Sequence, residues 1–295
     1  GEGDDTLMGG AGNDTLDGGS GNDTATFTGA RSNYLVSFVK GIYKIQDTRV
    51  SGDGADYLSN IESVTFSGQT INIQDLVVDL NKKITGDIGA NVLTGTSGDD
   101  TLQGLGGEDT LDGGAGNDTA DYSEKTANLV AVLNSVTDST VSVNDVLEDT
   151  LISIENIIGG SGNDTLTGDS NDNALMGGNG NDVLRGGSGK DTLDGGVGID
   201  TAQYSDKTDS IDVTLNGSAA VTVKVKGVSE DTLLNIENVT GGYGADRIVG
   251  DSIDNVLMGG DGKDSLGGDA GNDTLDGGTG NDYLSGGNGN DMVYG

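Results

Sequence analysis

In this 295-residue chain the residue whose type and spacing could do chemistry is aspartate, set at a fixed place in a glycine-rich nonapeptide. Repeats such as GGNGNDVLR at 177–185 carry Asp at their sixth position in fifteen of eighteen copies: Asp5, Asp14, Asp23, Asp100, Asp109, Asp118, Asp164, Asp182, Asp191, Asp200, Asp246, Asp264, Asp273, Asp282 and Asp291. Asn91, Asn173 and Asn255 take that position in the other three. A carboxylate recurring at this interval can bind cations. Histidine and cysteine are absent, which removes imidazole and thiolate ligands, disulfides and a Ser-His-Asp triad. The metal must then favour oxygen. Calcium accepts about six to eight oxygens in flexible geometry, whereas magnesium demands a near-ideal octahedron and keeps its waters, so calcium is the expected ion.

Other readings of the same residues are weaker. The Gly-x-Gly steps open no helix after a buried strand, so they are not dinucleotide fingerprints. Asp169 to Asn173 starts like an EF-hand loop, but Ala174 stands where the turn needs glycine. Regular spacing gives the carboxylates a structural role, and no residue breaks the pattern as a catalytic pocket would; the chain reads as non-enzymatic. Forty-nine acidic against fourteen basic residues give a net charge of −35, which excludes nucleic acid and anionic lipid as partners. No apolar run approaches the roughly 20 residues that cross a bilayer, so no membrane insertion is expected.

The elements that must position the aspartates follow from the same nine residues. Positions one to six hold up to three glycines that let the backbone coil tightly, and positions seven to nine form a short strand. Alternation puts only position eight inward, and it is aliphatic in every copy, as at Leu16, Leu102, Leu184 and Leu275. Two nonapeptides make one turn, loop-strand-loop-strand. Repeat n then lies beside repeat n+2, and Asp164, Asp182 and Asp200 share one edge. At a strand spacing of about 4.8 Å such carboxylates repel by roughly 3.5 kcal/mol per pair at an effective dielectric of 20. Without a counter-ion the stack should not form.

The repeats fall into four phased blocks, at 1–26, 86–121, 159–203 and 241–295, separated by inserts at 27–85, 122–158 and 204–240. An 82-residue super-period relates Asn91, Asn173 and Asn255. The inserts carry strand signals. Ile211, Val213 and Leu215 alternate with polar residues, Asn216-Gly217 marks a turn and Val221, Val223 and Val225 alternate again, as a hairpin does. Residues 34–45 repeat that pattern more roughly. Each insert ends on a shared phrase, Asp56 to Glu62, Asp149 to Glu155 and Asp231 to Glu237, whose glutamates read as hydrogen-bonded or solvated carboxylates.

These repeats resemble the haemolysin-type, or RTX, calcium-binding family, whose consensus is GGxGxDxUx. The resemblance implies an all-β fold of right-handed parallel β-roll blocks separated by hairpin-containing inserts. It implies calcium held by the fifteen aspartates and by backbone carbonyls of loop glycines such as Gly9, Gly10, Gly12, Gly177, Gly178, Gly180, Gly186, Gly187, Gly189, Gly277, Gly278 and Gly280. It further implies export in unfolded form by a type I system and folding outside the cell, on a bacterial surface or beyond it. Counting stacked loop pairs block by block gives roughly ten ions, fewer near the asparagine repeats, where Asn173→Asp is expected to add affinity. The chain opens inside one repeat and ends on the first residue of another, as a segment of a larger protein would.

The function expected first is an extracellular structural or adhesive array of surface-layer or adhesin type, with self-association or a cell-surface glycan as its partner beyond calcium. The alternative is the non-catalytic repeat region of a secreted polysaccharide-active enzyme, protease, lipase or toxin. Far-UV circular dichroism should report disordered chain in chelator and strong β signal in millimolar calcium; equal β content in both would refute calcium-driven folding.

Overall fold

A computed structural model of the chain describes residues 1–39, 42–49, 52–73, 76 and 82–295. The chain divides into two compact units. The first comprises Gly1–Ile84, Thr94–Thr101 and Gly113–Asp118, and the second Thr85–Leu93, Leu102–Asp112 and Thr119–Gly295. Strands dominate both, and among the described residues no helix is long and apolar enough to cross a membrane.

In the second unit the nonapeptides build two long sheets. Thr165–Thr167 pairs in parallel with Val183–Arg185, and Val183–Arg185 with Thr201–Gln203. On the other sheet Ala174–Asn179 pairs in parallel with Thr192–Val197. Leu166 faces Leu184, and Leu175 faces Leu193, so each repeat lies beside the next but one, as the two-repeat turn requires. Leu166, Leu175, Leu184 and Leu193 are fully buried, one side chain per strand. At the ends of runs the inner position shrinks to Ala120 and Ala202, and the aromatic two residues on, Tyr122 or Tyr204, is buried as well. Residues two apart on a strand share a face, so volume lost at the alanine returns at the tyrosine.

The inserts carry hairpins, and they do so without interrupting the sheets. Ser139–Val143 runs antiparallel between Leu129–Val132 and Val146–Ile152. The outer two strands pair in parallel with the roll, Leu129–Val132 with Thr165–Thr167 and Val146–Ile152 with Asp109–Asp112. Eighty-two residues later Ile211–Thr214, Val221–Val225 and Val228–Leu234 repeat the arrangement in the other sheet. Asn216 and Gly217 lie in the connection between the first two of these strands, with Gly217 at φ 57°. The shared phrase is therefore itself a roll strand: Asp149, Thr150 and Leu151 stand opposite Asp109, Thr110 and Leu111.

The first unit applies the same rule to its own insert. Leu16 faces Leu58 and Ala25 faces Val64 in parallel pairs, and Tyr34–Val39 forms an antiparallel hairpin with Ile42–Asp47. The turn of that hairpin, residues 40 and 41, lies outside the described residues. Phe27, Tyr34 and Phe66 pack with ring centroids 5.1–5.5 Å apart, giving this unit a thicker core than a leucine ladder alone.

Two loop glycines show why the coil tolerates no substitute. Gly178 and Gly180 sit at φ 108° and 122°, and a Cβ on either would overlap the carbonyl oxygen of Gly160 or Gly162 in the preceding turn. The core is equally unforgiving. Leu193→Ala should cost about 2–5 kcal/mol in urea unfolding at saturating calcium, while the exposed Ile199→Ala should stay within about 0.5 kcal/mol; equal effects would contradict a core one leucine thick.

Candidate metal sites

The sixth-position carboxylates form ladders along the edges of the roll. In each, Oδ1 accepts the backbone N–H of the equivalent residue one turn earlier: Asp164 to Asp182 at 2.7 Å, Asp182 to Asp200 at 2.7 Å, Asp246 to Asp264 at 2.8 Å and Asp273 to Asp291 at 3.0 Å, naming the N–H donor first. Asp5 to Asp23 at 2.8 Å and Asp100 to Asp118 at 2.7 Å repeat the contact in the first unit. The same bond that sets the turn spacing thus brings the negative charges together.

The other oxygen is left bare. Oδ2 of Asp14, Asp23, Asp109, Asp182, Asp191, Asp200, Asp264 and Asp273 is buried and has no hydrogen-bond partner. Of these residues Asp182, Asp191 and Asp273 are each 1% exposed. A buried unpaired carboxylate oxygen is costly, and the titration of Asp182, Asp191, Asp200, Asp264 and Asp273 is raised by that burial. Burial pushes Asp182 up to about 7, with the charges of Asp164 and Asp200 adding to the shift. Burial likewise raises Asp191 to about 7 and both Asp200 and Asp264 to about 6.

A Cβ on Gly177, Gly259 or Gly268 would meet both the bare Oδ2 of Asp182, Asp264 or Asp273 and the carbonyl oxygen of Gly195, Gly277 or Gly286, and other loop carbonyls lie close against the neighbouring turn. A Cβ on Gly159 would overlap the Gly177 carbonyl oxygen, on Gly168 that of Gly186, on Gly196 that of Gly178 and on Gly198 that of Gly180. Gly187, Gly189, Gly278 and Gly280 cover the carbonyls of Asp169, Asn171, Gly260 and Gly262, and the Gly277 carbonyl lies against Gly259. Gly9 lies against its own Asp14 carboxylate, Gly12 turns its carbonyl toward Gly54, and Gly10 holds φ 85° at its loop bend. Among the described residues no three carboxylates converge on one point. An ion between turns would therefore draw most of its ligands from carbonyls, with one or two carboxylate oxygens. That oxygen-only set fits calcium.

The remaining sites differ. Asp5, in the opening repeat of the first unit, is exposed, and Asp282 and Asp291, in the last repeats of the second unit, are partly so. Asp164 and Asp246 use both oxygens internally: Oδ1 accepts from Leu129 or Ile211, and Oδ2 from Gly160 or Gly242. Asp100 likewise accepts from the Lys82 N–H and the Thr96 hydroxyl.

The inserts supply carboxylates that repeat counting passes over. Oδ1 of Asp56, Asp149 and Asp231 accepts the N–H of Asp14, Asp109 and Asp191 at 2.8, 3.0 and 2.9 Å, so the ladder continues into the insert. Oε2 of Glu62 and Glu237 does the same for Asp23 and Asp200. The shared phrase links these two carboxylates by a path shorter than a nonapeptide, and the longer glutamate makes up the reach. Asn60, Ser153 and Asn235 make the tight bend at φ 49–50°. Asn235 also turns its carbonyl toward Gly195, the place that the Gly195 carbonyl takes toward Gly177. The recurrence of Asp and Glu in all three phrases was the available signal. An ion count taken block by block leaves these groups out.

The Asp149 carboxyl is raised to about 6 by burial, while a 2.8 Å hydrogen bond from the Tyr122 hydroxyl to its Oδ2 works against the rise. Nearby, the half-buried lysines Lys125 and Lys207 pair with Glu148 and Glu230 and turn their carbonyls toward Gly160 and Gly242, where a loop carbonyl would stand.

No curated protein matches the chain. Among solved structures it resembles the extracellular lipase LipA from Serratia marcescens, at 18% identity and a TM-score of 0.19, over 79% of this chain and 36% of that one. The chain thus spans about a third of that lipase's length. The family model for the RTX calcium-binding nonapeptide repeat matches residues 1–25, 85–120, 153–184, 167–202, 240–275 and 267–295, more than half of the sequence. On this match, and with bare carboxylate oxygens recurring at turns such as those of Asp182, Asp264 and Asp273, the chain belongs to the RTX family of calcium-binding nonapeptide repeats.

Proposed function

We propose that this chain is an extracellular structural or adhesive array, of surface-layer or adhesin type, that folds and stiffens on binding calcium after type I secretion. One observation carries the reading: a buried carboxylate oxygen without a partner recurs along the roll, at Asp182, Asp191, Asp200, Asp264 and Asp273. The fifteen repeat aspartates act as ligands in this reading, with the loop carbonyls beside them, and Asp56, Asp149 and Asp231 extend the set. When bound, calcium supplies the positive charge that lets stacked carboxylates stay ionised at close range. At turns such as those of Asp182, Asp200 and Asp264 the protein's own part is to hold one oxygen of the carboxylate on the backbone and leave the other bare.

An array role follows from the 82-residue period, which adds like units without a change of design. Each unit brings a roll segment and a three-stranded insert, and the sheets run through both. Catalysis has no place in this reading, because most of the regular carboxylates are already engaged in spacing the turns.

Pulled as single molecules, the chain should resist extension in millimolar calcium and extend without a force plateau in chelator. The Asp182→Ala/Asp191→Ala variant should bind fewer ions by equilibrium dialysis and respond less steeply to calcium. A plateau indifferent to calcium would remove the stiffening role, and an unchanged ion count would remove these two ligands.

Acidity should partly replace the ion. Asp182 and Asp191 rise from 3.8 to about 7, so the folded state binds more protons than the unfolded chain between those values. Metal-free stability is then greatest below about pH 4 and falls as pH rises to about 7. In chelator, β content should be higher at pH 4 than at pH 8, whereas in calcium acidification should release ions. More β content at pH 8 in chelator would contradict the raised carboxyls.

A further inference from the structure

The turns at Asn173 and Asn255 are bonded differently from the aspartate turns around them. In an ordinary turn the sixth-position carbonyl accepts a strand N–H from one turn on: Val183 donates to Asp164 and Ser265 to Asp246, each at 2.8 Å. Beside the insert phrase that bond is diverted. Ala174 N–H donates to Asn156 Oδ1 at 2.9 Å instead, and Val256 N–H to Asn238 Oδ1 at 2.7 Å. The carbonyls of Glu155 and Glu237 then take their donors from Asn173 Nδ2 and Asn255 Nδ2, both at 2.7 Å.

The amide orientation is set by its other end. Asn173 Oδ1 accepts the Asp169 N–H, and Asn255 Oδ1 the Asp251 N–H, both at 2.8 Å, so the NH₂ group must face the glutamate carbonyl. Asn173 and Asn255 are 3% and 1% exposed, and both ends of each amide are bonded. A cation here would meet an N–H donor where it needs a carboxylate oxygen, and a carbonyl already occupied. Calcium does not fit.

We propose that these two turns are sealed by the asparagine pairs Asn156–Asn173 and Asn238–Asn255 and hold no calcium, so that the run of ions along that one edge is interrupted at each seal. The inference rests on the calcium reading of the aspartate turns. It also reverses the expectation that Asn173→Asp would add affinity: the substitution sets a carboxylate oxygen against a carbonyl oxygen whose strand donor has been diverted. Asn91 stands apart, because its Nδ2 points to Asp87 within its own loop, at 3.3 Å.

Terbium-loaded crystals of the whole chain, used for anomalous scattering, locate ions without any variant. Peaks are expected beside Asp182, Asp191 and Asp264, and none within bonding distance of the Glu155 or Glu237 carbonyl. A peak at either carbonyl, with the others present, would overturn the amide seal alone; no peak beside the aspartates would overturn the calcium reading and the inference with it. In solution, Asn173→Asp and Asn255→Asp should leave the calcium count by equilibrium dialysis unchanged. Each should lower the folding equilibrium constant at saturating calcium by about tenfold, the scale of one buried hydrogen bond lost. One extra ion per substitution, with tighter binding, would refute the seal.

Discussion

The roll depends on a division of labour within ladder carboxylates such as Asp182, Asp191, Asp200, Asp264 and Asp273. Oδ1 holds the N–H of the previous turn and sets the spacing; Oδ2 is buried and bare. The bond that makes the turns stack also brings like charges close, at a cost that grows with each turn. A neutral side chain could make the first contact without the second. An aspartate makes both, and this ties the fold to whatever enters the gap, be it a cation or, in acid, a proton.

The inserts obey that constraint by other means. Where the phrase from Asp149 to Glu155 or from Asp231 to Glu237 replaces a nonapeptide pair, the ladder acceptor is kept and the glycine loop is lost. A longer side chain on a shorter path reaches the same N–H. Lys125 and Lys207 place their carbonyls where loop carbonyls would stand, and bring an ammonium in as part of the chain. The inserts are thus turns of the roll rebuilt with different residues, which is why the strands on either side stay in register.

Much of this was legible in the residues. Period nine, inward leucine and edge aspartate predict the neighbour relation, and Leu166 facing Leu184 bears it out. The hairpin from Ile211 to Val225 was visible from alternation and the Asn216-Gly217 turn. The continuation of the ladder through Asp56, Asp149 and Asp231 was not, because the phrase has neither the glycines nor the length of a repeat, and alternation cannot tell which neighbour a strand will choose. The split between the two carboxylate oxygens was also hidden: a sequence pattern names a ligand without saying which of its atoms the backbone has already taken. For the same reason Asn173 looked like a weakened site when read by charge alone.

Charge is the wrong measure at a buried turn; donors and acceptors have to be counted. An aspartate turn with a free Oδ2 has one acceptor too many and calls for a cation. In an asparagine turn beside an insert the side-chain NH₂ group donates to the glutamate carbonyl, and on the proposed reading that bond closes the turn without an ion. In a solenoid each turn interacts chiefly with its neighbours, so stability is close to a sum of intrinsic and nearest-neighbour terms. On the proposed reading the chain then alternates stretches whose terms depend on calcium with joints whose terms do not. A joint that stays closed when calcium is scarce keeps the strand register at its side, so the adjoining ladder need only add turns, whereas an unfolded chain would first have to find that register. The 82-residue period fits this arrangement, because it repeats the joint together with the ladder that depends on it.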